Sequence, residues 1–168
     1  MALQVNDKTT IYGDRLELFF NNLPLALGKS CSLEITAETL DTSNKMSGNW
    51  KEFLVGQLSF SVSTDALLTY SDKNKQVADL ADVCKFGDLL ATMVKRNPIP
   101  FKLSEITKVE GAISEGINLV EGRVIITQLS VQADTGQITT CAVSLQGTGE
   151  LKIGEDFAGT VIKDDATE

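Results

Sequence analysis

The chain has 168 residues, 42% of them hydrophobic; that suffices for the core of one domain, and no apolar run reaches the roughly 18 residues of a membrane-crossing helix. Twenty-three acidic residues against fifteen basic ones leave a net charge of −8, which disfavours tight binding to phosphate backbones without preventing DNA from passing nearby. Histidine is absent, which removes Ser-His-Asp and Cys-His catalysis and most zinc or non-haem iron sites.

In chain order, residues 1–13 are expected to form an N-terminal arm. The start, MALQVNDKTTIYGD, has no basic stretch followed by an apolar core, so folding in a cytoplasm without a secretory signal is expected. Gly13-Asp14 interrupts any short edge pairing by Thr10-Ile11-Tyr12. Residues 15–21 (RLELFFN) are a strand candidate, Asn21-Asn22-Leu23-Pro24 a turn, and 25–28 a resumed ladder that makes an opening hairpin. Residues 30–39 alternate cleanly, with Cys31, Leu33, Ile35 and Ala37 opposite Ser32, Glu34, Thr36 and Glu38. Glu34 and Glu38 stand roughly 13 Å apart along such a strand. That exceeds the roughly 6.5–9.5 Å of an inverting glycosidase pair. A solvated or lumen-facing acidic row is the better reading.

Residues 41–56 are expected to form a long loop. Its polar part, DTSNKMSGNW, turns at Gly48 and ends at Trp50, the only tryptophan. Two roles fit Trp50: an anchor against a neighbouring subunit, or a cover over one end of its own core. Over 57–64, Leu58, Phe60 and Val62 alternate with Gln57, Ser59, Ser61 and Ser63; residues 67–70 close this region, and 71–76 read as a charged loop. Phe86, Leu89, Leu90, Met93 and Val94 then recur at helical spacing, one apolar stripe of a helix over 84–96. Asp82 is its expected N-cap, and Lys95 and Arg96 end it before Asn97-Pro98, a helix terminus rather than a phosphate site. Pro98 and Pro100 hold a strand over 99–106 to an edge at its start. Residues 110–122, with three glycines, read as a mixed loop.

Residues 122–149 carry the clearest pattern, two alternating strands joined by a turn. Ile125, Leu129 and Val131 fall on one face with Thr127 between them, and Gln128, Ser130 and Gln132 on the other; Cys141, Val143 and Leu145 oppose Thr140, Ser144 and Gln146. In the turn, Ala133-Asp134-Thr135-Gly136, Asp opens and Gly takes the left-handed position. Gly147-Thr148-Gly149 precedes no helix and is no nucleotide signature. Cys31, Cys84 and Cys141 are odd in number and far apart, so buried free thiols are expected rather than a disulfide or metal site. A polar tail follows over 154–168; residues 155–168 hold five acids and one lysine, half of the net charge. The organisation expected is thus one domain over 1–168, with the arm, a core over 14–153 and the acidic tail, both termini extended.

Three segments in this order resemble the tail tube (major tail) proteins of long-tailed phages. The first is 29–40 with Thr42-Ser43-Asn44-Lys45 and Gly48-Asn49-Trp50. The second is Phe86-Gly87-Asp88-Leu89-Leu90 leading through Pro98 into Phe101-Lys102-Leu103. The third is Gly122-Arg123-Val124-Ile125-Ile126-Thr127-Gln128-Leu129-Ser130, Gly136-Gln137 and Leu145-Gln146-Gly147-Thr148-Gly149-Glu150-Leu151. The match covers roughly residues 10–153 and rests on order rather than on any single motif.

The resemblance implies a mainly β protein: an antiparallel β-sandwich or small barrel of two sheets flanked by one helix, similar to the type VI secretion tube protein. It implies a structural, non-enzymatic virion protein without cofactors, made in the host cytoplasm and resident in the tail. Such subunits form hexameric rings that stack into a tube through which DNA passes unbound, with tape measure, tail terminator and baseplate proteins as further partners. The loop carrying Thr42, Ser43, Lys45, Met46, Gly48 and Trp50 is expected to bridge subunits and rings. The lumen lining is expected to draw on Glu34, Glu38, Ser59, Ser61, Gln128 and Ser144, polar residues without a cation. Two other classes compete. The inner tube of a contractile injection system shares the same physics. A carbohydrate-binding module would need an aromatic platform, for which Tyr12, Trp50 and Tyr70 are scattered. An enzyme would need a constellation that no element supplies.

Overall fold

The computed structural model describes residues 11–68, 83–109, 112–155 and 157–159. A 3-10 turn, Gly13–Arg15, leads into seven strands and one helix: β1 Leu16–Phe20, β2 Leu23–Pro24, β3 Gly28–Asp41, β4 Phe53–Leu67, α1 Phe86–Lys95, β5 Ile99–Val109, β6 Ala112–Gln132 and β7 Thr140–Ile153. The mainly β, antiparallel architecture with one helix is as expected. The strands, however, lie in one sheet, ordered β2-β1-β5-β6-β7-β4-β3, rather than two. β6 is the reason. Its first half pairs with β5 and its second half with β7, so one 21-residue strand joins what would otherwise be separate sheets. The sheet folds over until β1 meets β3, where the Cys31 thiol donates to the Leu16 carbonyl at 3.9 Å. No ladder joins those two strands among the described residues, and the sheet does not close into a barrel.

The core fills this fold. Leu18, Phe20, Phe60, Val62, Phe101, Leu103, Val124, Ile126, Val143 and Leu145 are buried on its concave side, and Leu89 of α1 reaches the same cluster. Each such side chain contributes roughly 1.5–3 kcal/mol by leaving water. The rings of Phe60 and Phe101 sit with centroids 5.8 Å apart. They leave no room for side chains on the crossing strands. A Cβ on Gly122 would lie 3.2 Å from the Phe101 ring, and one on Gly147 would overlap the Phe60 ring.

Several expectations need correction. Residues 112–122, read as a glycine-rich loop, are the first half of β6; partners on β5 decide this, with Phe101 opposite Gly122. The loop expected over 41–56 is shorter, because Asp41 still belongs to β3 and Phe53 already to β4, paired with each other. In β6 a bulge at Thr127 flips the alternation: Ile126 is opposite Leu145, but Gln128 is opposite Ser144. Val124 and Ile126 therefore face the core before the bulge and Leu129 after it, while Ile125 turns to the polar face beside Gln146. Thr127 settles the distortion by donating its hydroxyl to the Ser144 carbonyl at 2.9 Å. The β6–β7 turn follows expectation, with Gly136 at φ +82° and the Gln137 N–H donating to the Asp134 carbonyl at 3.1 Å.

α1 spans Phe86–Lys95 rather than 84–96, and its N-cap is Lys85. Asp82 lies outside the described residues, as do Tyr70, the 71–76 segment, residues 1–10 and 160–168. The Asp88 carboxylate accepts the Lys85 N–H at 3.1 Å, and Arg96, left-handed at φ +58°, closes the helix. The apolar stripe is narrower than its spacing suggests. Phe86, Leu89 and Met93 pack on the core, whereas Leu90 and Val94 are 46% and 74% exposed. Ile11 and Tyr12 are not in a strand. At the other end, Gly154 is buried and donates its N–H to the Leu119 carbonyl at 2.8 Å, so the first residue of the tail is docked.

Candidate functional site

Two surfaces stand apart from the rest of the molecule: a polar sheet face and a projecting two-stranded ribbon. The polar face is built in cross-strand rows. Ser32, Ser63, Ser144 and Gln128 stand side by side across β3, β4, β7 and β6. The next row runs Glu34, Ser61, Gln146, Ile125, and a third pairs Thr36 with Ser59. Hydroxyls tie β3 to β4 along such rows: Ser32 bonds Ser63, and Ser30 donates to the Asp65 carboxylate at 2.9 Å. Five of the six residues expected on a lining, Glu34, Ser59, Ser61, Gln128 and Ser144, are thus brought onto one face. Glu38 follows Thr36 on the same side of β3, past the last residue that β7 pairs. These three rows hold no lysine or arginine. Their reverse side carries Val62, Leu145 and Ile126, so burial of the core holds the hydroxyls outward.

The ribbon begins where β4 leaves β7. Pairing with β7 covers only residues 61–67, yet β4 runs back to Phe53 with β3 as its partner. The Gln146 side chain marks the fork, donating to the Phe60 carbonyl at 2.9 Å. From there outward, register places Ile35, Leu58, Val55, Phe53 and Asp41 on the core-side face, and none of them belongs to the buried core cluster of the described residues. Val55 is 72% exposed. Leu40 and Leu54 pair on the opposite side and are also exposed.

The tip, residues 42–52, is a bonded unit. Asp41 accepts the Ser43 N–H at 2.9 Å, Asn44 the Met46 N–H at 2.8 Å, and the Ser43 hydroxyl the Glu52 N–H at 3.0 Å. The Ser43 side-chain and backbone hydrogen bonds hold the Asp41 carboxyl below its ordinary range. The Thr42 N–H donates to the Glu52 carbonyl, and Gly48 takes φ +66°. Of the six expected loop residues, Thr42, Ser43 and Gly48 build this turn, while Lys45, Met46 and Trp50 project from it. Met46 is 94% and Trp50 84% exposed, so Trp50 does not cover its own core.

Elsewhere the chemistry is sparse. Among the described residues no group of three His, Cys, Asp or Glu side chains could hold a metal. Burial, with Asp88 adding to it, pushes the Cys84 thiol up to about 11; burial likewise raises Cys31 and Cys141. All three are free thiols.

Residues 24–153 match the family described as phage tail tube protein. The chain belongs to that family. No curated protein matches the sequence. Among solved structures, this tail tube protein is similar to a chain in the virion of a native gene transfer agent (GTA) particle. The TM-score is 0.64 at 17% identity, over 86% of this chain and 98% of that one. A chain in the tail of an empty GTA particle, refined helically with C6 symmetry, gives 0.62 at 18%, over 86% and 98%. The SPP1 tail tube, a hybrid of solid-state NMR and cryo-EM, gives 0.60 at 15%, over 87% and 80%. At these identities the likeness is one of fold.

Sequence reasoning missed the ribbon's apolar face in this tail tube protein. Ile35 and Leu58 alternate correctly with the polar face and read as core. The signal lay in strand length: 14 and 15 residues outrun a sheet whose other pairings with β4 end at residue 61. The closing Gly147-x-Gly149 of the family resemblance also gains a physical meaning. Gly147 makes room for Phe60, and Gly149 adopts φ +78°.

Proposed function

We propose that copies of this chain form hexameric rings that stack into the tail tube, with the polar rows toward the lumen and the ribbon crossing subunit boundaries. The observation that carries this reading is the ribbon. Four large apolar side chains, Ile35, Phe53, Val55 and Leu58, stand on paired strands and are each more than half exposed. Covering them in a neighbour returns the burial energy that a lone chain forgoes. The polar rows support the other half. A conduit for DNA needs a wetted surface that does not grip phosphate, and hydroxyls, amides and the carboxylates of Glu34 and Glu38 meet that need. Their repulsion reaches about 8 Å at physiological salt. The C6 symmetry of the similar GTA tail supports six subunits per ring.

Stacking is head-to-tail and open-ended, so it does not stop by itself. Tape measure, terminator and baseplate proteins are accordingly proposed as the partners that set length and close the ends. Negative-stain electron microscopy of the purified protein across a concentration series tests the proposal. Rings or hollow tubes with six-fold end views are expected. Monomers at every concentration, also after seeding with tail fragments, would overturn it.

A further inference from the structure

The solvent side of α1 is apolar too. Gly87, Leu90, Ala91 and Val94 recur at i, i+3, i+4 and i+7 and are all exposed, a second uncharged stripe beside the core-facing one, with Asp88, Thr92 and Lys95 on the remaining face. An apolar band wider than the stripe the core covers leaves a surface for a second contact. The second stripe runs about 10 Å along the axis, and Lys95 and Arg96, both exposed, end it with two positive charges. The core-side face of the ribbon has the matching form. Phe53, Val55 and Leu58 extend for roughly 16 Å along β4, with Ile35 alongside, and Asp41 sits at the tip end of the same face. Within one chain both surfaces stay open: Val94 is 74% and Val55 72% exposed.

We propose that the outer stripe of α1 in one copy packs on the core-side face of the β3–β4 ribbon in the next, with Lys95 and Arg96 toward Asp41. This rests on the tube reading above and specifies one of its contacts. The occupant is a second copy because the surfaces complement each other in chemistry and sign: apolar on apolar, and two cations against a carboxylate. Each copy has one stripe and one ribbon, so the contact is heterologous and propagates from copy to copy as a ring requires. The bonds from Ser43 that favour the charged form of Asp41 keep the acceptor end anionic at neutral pH.

Mixed cysteine crosslinking tests it. Val94→Cys and Val55→Cys are made separately in the full chain; both positions are exposed, so folding is not at risk. Each is assembled and oxidised alone, then as an equimolar mixture. A crosslinked dimer on a non-reducing gel is expected only from the mixture, and only in the assembled fraction. Tubes that form from the mixture without a crosslink would overturn this contact and leave the tube function standing. A parent chain that forms neither rings nor tubes would overturn both. As a second readout, Val94→Lys is expected to raise the concentration needed for assembly at least tenfold with the monomer's melting temperature unchanged. An unchanged threshold would overturn the contact.

Discussion

Cys84 ties α1 to the start of the sheet. Its N–H donates to the Pro24 carbonyl at 2.8 Å and its carbonyl accepts the Ala26 N–H at 2.9 Å. Its thiol titrates near 9.0 when the chain is unfolded and near 11 when folded. The raised value means that the folded state holds its proton where the unfolded state has lost it. The stabilisation is therefore fully present below pH 9 and is lost as pH rises through 11. Urea midpoints of the parent should fall across that window more steeply than those of Cys84→Ala; parallel curves would contradict the burial argument. Gly147 makes a second residue-scale prediction. Gly147→Ala must displace the buried Phe60 ring, and an overpacked core of this kind costs about 1–3 kcal/mol in urea unfolding. A variant as stable as the parent would contradict the packing. Such details explain what single-residue reading could not see. Gly116 and Gly122 look like loop residues locally, yet both lie within β6, and Gly122 serves Phe101 from a strand 21 residues away.

At the scale of elements, alternation was legible wherever pairing was regular. β3, the inner half of β4 and β7 keep the faces that period two assigns, because one side is buried and any slip would expose it. It failed at Thr127, since a bulge is a property of two strands and leaves no mark in one. It failed again on the ribbon, where apolar alternation is the same whether a core or a neighbour lies beneath. The helix shows the same ambiguity: spacing identified apolar positions on α1 but not which of them this chain itself covers. Trp50 belongs to this scale, because the tip is ordered by Asp41, Ser43 and Asn44 and not by the indole. Trp50→Ala should therefore alter monomer stability by less than about 0.5 kcal/mol while sharply reducing tube formation. Thermal melting and electron microscopy of the same sample separate the two, and equal losses would contradict the anchor role. As the sole tryptophan, it also offers a direct signal: emission should shift to the blue as tubes form.

At the scale of the whole molecule, the arrangement is of two faces serving two purposes. One side of the β3–β4–β7–β6 sheet is wet, cation-free in its central rows and backed by the core. The ribbon that extends it is apolar on the side where the core would be, and ends in a hydrogen-bonded tip from which Met46 and Trp50 project. Polar rows would serve any soluble sandwich; polar rows continued by an uncovered apolar ribbon suit a chain completed by its neighbours. The measurement that bears most directly on that division is a cryo-EM helical reconstruction of the assembled tube. Glu34, Ser61, Ser144 and Gln128 are predicted to face the tube axis, with the ribbon between subunits. A reconstruction in which those residues lie on the outer wall, or in which the ribbon touches only solvent, would contradict it.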